Sequence, residues 1–207
     1  LIFAAFMFAL GYKKTGLGKR VSLVMIKYMG KSSLGLGYAV AFSDLVLSPF
    51  MPSNTARSAG TIYPVASNIP LIFDSTPEHE PRKLGAYISW VAIATTCVTS
   101  SMFLTALAPN LLAVDLINKG TGHMISWGAW ASIMLPLMIP LFLLTPWLVY
   151  VVYPPTQKTS PEAPAWAAEE LKKLGGITSK ELLMAGLAVV ALALWIFSKD
   201  FGIDSTT

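Results

Sequence analysis

Charge is the scarcest commodity in this chain. Only 13% of its 207 residues are Asp, Glu, Lys or Arg, about half the share of an ordinary soluble domain. A disordered chain, which needs many charges and few apolar residues, is excluded. A single cysteine excludes a disulfide framework and a cysteine-based zinc site. Two histidines leave little material for a metal centre. No GxSxG, P-loop, HExxH or dinucleotide fingerprint is present, so nothing supports an enzyme. What the chain has instead is apolar residues, at 54%, and a mean hydropathy of +0.60. In such a chain the net charge of +4 points to basic cytoplasmic loops of a membrane protein, and not to nucleic acid.

A spanning helix needs about 20 mostly apolar residues. No charge lies between Lys83 and Asp115, and none between Lys119 and Lys158 with His123 neutral. Residues 182–198 are nearly long enough, and residues 1–12 read as the end of a helix. Leu1 opens inside an apolar run and Thr207 carries no terminal signal, so the chain reads as a piece of a longer protein. Residues 34–73 are apolar too, yet they hold Asp44, Arg57 and four prolines, at 49, 52, 64 and 70. Proline removes a helical donor and clashes with the preceding turn. This segment therefore predicts two helical arms meeting at an irregular tip, either a re-entrant hairpin or two broken spans.

The basic residues set an orientation. If the first helix exits to the cytoplasm, Lys13, Lys14, Lys19, Arg20, Lys27, Lys31, Arg82, Lys83, Lys158, Lys172, Lys173 and Lys180 all fall inside. Lys119 and Lys199 fall outside, and Arg57 lies in the membrane. In the polar loop 154–181, Pro161 or Pro164 suits a helix start and Gly175-Gly176 a stop. Trp166, Leu171 and Leu174 are placed on the membrane surface. Thr178 and Glu181 fit a capping box. Trp127, Trp130, Trp147, Tyr150 and Tyr153 are expected at the interfaces.

Ser53-Asn54-Thr55 is the strongest local feature. These residue types cap helix N-termini, and a helix N-terminus at membrane depth offers free N–H groups and partial positive charge to a carboxylate. A plain turn between helices is the competing reading. Thr95, Thr96, Thr99, Ser100, Ser101 and Thr105 form a second polar cluster ahead of Pro109-Asn110. They serve either a broken helix or ordinary helix packing. Arg57 and Asp44 each need a partner or water in hydrocarbon. They either pair with each other, or Arg57 lends charge to a bound anion.

Pro52-Ser53-Asn54-Thr55-Ala56-Arg57-Ser58-Ala59-Gly60-Thr61-Ile62-Tyr63-Pro64 resembles the first Ser-Asn-Thr signature of the divalent anion:sodium symporter family. More narrowly, it resembles the branch of citrate/succinate and tartrate/succinate antiporters and the 2-oxoglutarate/malate translocator. Phe8-Ala9-Leu10-Gly11-Tyr12 with Thr15-Gly16-Leu17-Gly18, Met102-Phe103-Leu104-Thr105-Ala106, Ile125-Ser126-Trp127-Gly128 and Tyr153-Pro154-Pro155 agree, so the resemblance covers essentially the whole chain.

The resemblance implies an all-α polytopic protein of the bacterial inner membrane, built of two inverted repeats. One repeat and the start of the second would be present here. Residues 1–33 would be a scaffold helix end and basic cytoplasmic segment, and 34–73 a re-entrant hairpin with the Ser-Asn-Thr tip. Residues 84–118 would form a broken transmembrane helix and 122–153 a transmembrane helix. Residues 154–181 would be a cytoplasmic loop, and 182–207 would begin the second repeat.

The resemblance also implies exchange of di- or tricarboxylates (succinate, citrate, tartrate, malate or 2-oxoglutarate) by alternating access. Ser53, Asn54 and Thr55 would hold one carboxylate, with Arg57 as a further substrate-binding residue. Asp44, Thr99, Ser100 and Ser101 would stand behind them. Lipid and a second copy of the chain, met through residues 1–33, are the implied partners. No cofactor or metal is expected. In sodium-coupled relatives a glycine-rich loop in the broken helix helps bind sodium. Here residues 99–103 contain no glycine and Arg57 follows the signature, so its charge is expected to stand in for sodium. The rivals are a sodium-coupled symporter and a non-transporting membrane subunit.

Overall fold

The computed structural model describes residues 7, 10–12 and 14–196, save the side chain of Trp195. The rest of the expected helix end at 1–12, the basic positions Lys13 and Lys199, and the residues after 196 lie outside that set. Among the described residues the fold is all helix, with one isolated β-bridge between Ser32 and Thr159.

Helix α1 (Leu17–Met29) leads into α2 (Ser33–Leu47). Ser32 caps α2 by accepting from the Gly35 N–H at 3.1 Å. After α2 come a 3₁₀ turn (Ser48–Phe50) and extended backbone at Met51. A π-helix (Thr55–Ile62) then returns the chain, followed by short helices α3 (Tyr63–Ala66) and α4 (Asn68–Ile72). The returning arm packs against both α1 and α2. It comes so close to α1 that a Cβ on Gly18 would lie 2.2 Å from the Thr61 methyl.

The two ends of this hairpin meet at one strap. Ser33 N–H donates to Lys158 O at 3.1 Å, while the N–H groups of Thr156 and Gln157 donate to Arg82 O and Lys83 O at 3.2 and 3.1 Å. Three of the basic clusters assigned to the cytoplasm, around Lys31, Arg82-Lys83 and Lys158, thus gather at one face. The segment between them leaves from and returns to the same face, as a helical hairpin does.

Helix α5 (Gly85–Met102) carries no charge. Its first N–H groups have a remote cap, Ser75 Oγ, at 3.1 Å from Gly85 N and 3.3 Å from Leu84 N. Tyr87 of α5 crosses α2 where a Cβ on Gly37 would lie 2.1 Å from its hydroxyl. The chain unwinds at Phe103, makes a 3₁₀ turn (Leu104–Ala106), extends again at Leu107 and resumes as α6 (Ala108–Thr121). The break sits one turn beyond the expected loop, because Thr99–Met102 complete α5 and Pro109 fits the first turn of α6.

Helix α7 (Trp127–Val152) contains Pro136, Pro140 and Pro146. Together with Ser33–Phe50 it is long and apolar enough to cross a membrane. Ile133, Leu137, Leu144, Val151 and Val152 each stay 46% or more exposed. A stripe of that size in water would be an aggregation liability, so its solvent is lipid or protein. Helix α8 (Glu162–Leu174) lies on α1, and Trp166, Leu171 and Leu174 are partly buried against the protein core. It meets α9 (Ser179–Ile196) at 107°. The capping box forms: Thr178 N–H donates to Glu181 Oε2 at 2.8 Å, and Glu181 N–H to Thr178 Oγ1 at 3.2 Å. Glu181 also accepts from Arg20 Nε at 2.8 Å, tying α9 to α1.

Candidate functional site

The tip forms where prolines deny the backbone its donors. Pro49 and Pro52 are both buried. Between them the chain leaves helical geometry, and helix resumes only after Pro52. Ser53 starts the return: its Oγ accepts from Ala56 N–H at 3.3 Å and its carbonyl from Arg57 N–H at 2.9 Å. The wide turn that follows is held by Thr61 Oγ1 donating to Ala56 O at 2.9 Å. Pro64, which has no N–H, lies just beyond it. Single stretches of π-helix are rare and concentrate at functional sites.

Arg57 points inward. Its side chain is 0% exposed, and that of its partner Asp44 is 3%. Nε donates to Asp44 Oδ1 at 3.1 Å. Nη1 donates to Met51 O at 2.9 Å and Ala106 O at 3.1 Å. Nη2 donates to Asn54 Oδ1 at 3.1 Å and to the hydroxyls of Thr96 and Thr99, both at 3.2 Å. Thr99 passes its own proton to Asp44 Oδ2. A guanidinium has five N–H donors, and all of them are taken. The acceptors come from α2 and the hairpin tip, from α5 and from the helix break itself. Arg57 is therefore a cross-link between the two irregular segments, and its charge is matched by Asp44.

The opposite face of the tip is open. Ser53 and Asn54 are half-buried and Thr55 is exposed. Asn54 gives its carbonyl oxygen to Arg57, which leaves its NH₂ group facing away from that bond. Among the described residues that NH₂, the Thr55 hydroxyl and the backbone N–H groups of Asn54 and Thr55 have no acceptor. They are the orphan donors of a helix start, with the partial positive charge that goes with them. Such an array suits a carboxylate.

The structure thus separates the expected site residues. Ser53, Asn54 and Thr55 share the open face. Arg57, Asp44 and Thr99 lie behind it, and Arg57 has no donor left for a ligand. Ser100 and Ser101 do not join the cluster: Ser100 Oγ turns back to Cys97 O at 2.7 Å, and Ser101 O accepts from the Trp130 indole at 3.0 Å. From the second polar cluster, Thr96 joins Arg57, Thr105 reaches the tip and Asn110 serves the break. Asn110 Nδ2 donates to Ser100 O at 2.8 Å and Phe103 O at 3.3 Å, satisfying carbonyls the break sets free. The clue was Pro109-Asn110, a helix breaker next to an amide. Trp127 is 8% exposed and donates to Thr105 Oγ1 at 3.2 Å, so it and Trp130 both bond to the neighbourhood of the break. No group of three or more His, Cys, Asp or Glu that could hold a metal occurs among the described residues.

The chain is similar to known proteins. The L-tartrate/succinate antiporter of Escherichia coli K12 is 52% identical over 202 residues, and those of Escherichia coli UTI89 and Shigella sonnei match equally well. The matched region is 97% of this chain and 42% of each relative, so the chain spans less than half the length of the proteins it resembles. These relatives are transporters, not enzymes. The family described as the sodium:sulfate symporter transmembrane region matches residues 1–207, which accords with a multi-pass protein of the bacterial inner membrane. With its whole length matched and an all-helical hairpin and broken helix in place, the chain belongs to the sodium:sulfate symporter transmembrane family.

Proposed function

We propose that the full-length protein is a secondary transporter that exchanges dicarboxylates by alternating access. Tartrate and succinate are the first candidates, because the relatives are tartrate/succinate antiporters. Citrate, malate and 2-oxoglutarate complete the panel. The open face of Ser53-Asn54-Thr55, with its unpaired donors at a helix start, carries this reading. These residues bind one carboxylate of the substrate. The other end is held by residues of the second repeat.

Arg57 supports the tip from behind. Its guanidinium fills a cage of six oxygens drawn from Asp44, Met51, Asn54, Thr96, Thr99 and Ala106. Oxygen cages of this kind also suit hard cations. A fixed guanidinium makes a loosely held cation unnecessary there, so exchange runs without sodium. Asp44 and Thr99 act through Arg57. The family resemblance extends the proposal to a homodimer through residues 1–33.

Proteoliposomes of the full-length protein test the reading. Uptake of labelled succinate is expected to need a dicarboxylate inside and to be indifferent to sodium. Uptake into vesicles without internal dicarboxylate, driven by a sodium gradient, would point to the symport that the family description names and overturn the exchange reading.

A further inference from the structure

The geometry points to Thr105 and Trp127 as positioning residues for the substrate-binding tip. The need for them is written into the tip. Pro49 O has no helical partner. The residue three ahead is Pro52, which has no N–H, and the chain is already extended at Met51. An orphan carbonyl in a buried place costs free energy until a donor reaches it. Thr105 reaches it: its Oγ1 donates to Pro49 O at 2.7 Å from the middle of the helix break.

A hydroxyl has one proton, and this one is spent on Pro49. Thr105 can then only accept, and the Trp127 indole, a donor only, gives it an N–H at 3.2 Å. The direction of the chain is fixed: indole to hydroxyl to hairpin carbonyl. The Trp127 ring stacks on Phe103, the first residue of the break, with centroids 5.9 Å apart. Trp127 sits at the start of α7, and Thr105 is 5% exposed. The neighbouring bond from Ala108 N–H to Pro52 O, at 3.0 Å, runs the same way from break to tip. Helix α7 thereby sets the height of the loop four residues ahead of Ser53. Neither residue shares the open face of the tip. Their effect on substrate is through the position of Ser53, Asn54 and Thr55, and this inference rests on the proposed role of those residues.

The test is succinate exchange by the full-length protein in proteoliposomes. Thr105→Val keeps the shape and removes both bonds. Its half-saturation concentration is expected to rise about three- to tenfold, the scale of one or two neutral hydrogen bonds, with the maximal rate within about twofold. Thr105→Ser, which retains the hydroxyl, should restore the wild-type value. Trp127→Phe keeps an aromatic ring beside Phe103 but loses the N–H with the second ring of the indole, and should shift half-saturation in the same direction by less. It decides the matter if Thr105→Val fails to fold. Wild-type half-saturation in the variants that fold, or a fall in maximal rate alone, overturns the positioning role. Asn54→Asp separates the two proposals. If it abolishes exchange while the Thr105 and Trp127 variants behave as wild type, only positioning fails. If it exchanges normally, the tip is not the site and both fall.

Discussion

Asn54 and Arg57 lie three residues apart and live in opposite environments. Arg57 is sealed between hairpin and helix break, with every donor engaged and its charge matched by Asp44. Asn54 and its neighbour Thr55 face outward with donors unspent. The contrast teaches that a charged residue beside a binding motif need not be the ligand. Here the charge builds the platform and neutral donors offer the contacts. Stability and transport should therefore respond in opposite order along this short stretch.

Arg57→Met should be the most damaging change to folding. It leaves Asp44 buried without its partner, a loss of about 3–5 kcal/mol, read as a collapse in detergent-solubilised yield and unfolding temperature. Adding Asp44→Leu should recover much of that, since the uncompensated charge goes too. A single variant as stable as wild type would show that the cross-link is idle. Thr99→Val comes next. It removes a hydroxyl that serves Arg57 and Asp44 together, for about 1–3 kcal/mol. Ser53→Ala takes away the cap on Ala56 N–H and should cost about 1 kcal/mol, with a clear loss of exchange. Thr55→Ala should change stability least, by about 0.5 kcal/mol or less for an exposed side chain. Its half-saturation for succinate should nevertheless rise. A Thr55→Ala variant that lost stability and kept affinity would reverse the comparison.

Much of this was legible in the residues. The prolines at 49 and 52 with Ser53-Asn54-Thr55 marked the tip, whereas the hydroxyl-rich run before Pro109 suited ordinary helix packing as well as a break. Thr178 and Glu181 announced their capping box. What was not legible was rotation and depth. Asp44 and Arg57 were each costly in hydrocarbon, but spacing alone left open whether they met each other or a substrate. Thr99, Ser100 and Ser101 are consecutive, yet only Thr99 lies on the helix face that meets Arg57. A helix turns by about 100° per residue, and the sequence does not say which way it faces. Trp127 and Trp130 fitted an interface by composition, because indole suits both a membrane boundary and an internal donor role. Trp127 turns in to the Thr105 hydroxyl and Trp130 to the Ser101 carbonyl, acceptors presented at a break whose place is set by tertiary contact.

Asn54→Asp tests the central claim most directly. The substitution keeps a side-chain oxygen for Arg57 and replaces the outward NH₂ with a negatively charged oxygen. Counterflow of labelled succinate should disappear in the full-length variant, while its yield and unfolding temperature stay near those of wild type. Wild-type counterflow in this variant would contradict the assignment of the Ser53-Asn54-Thr55 face to the substrate carboxylate.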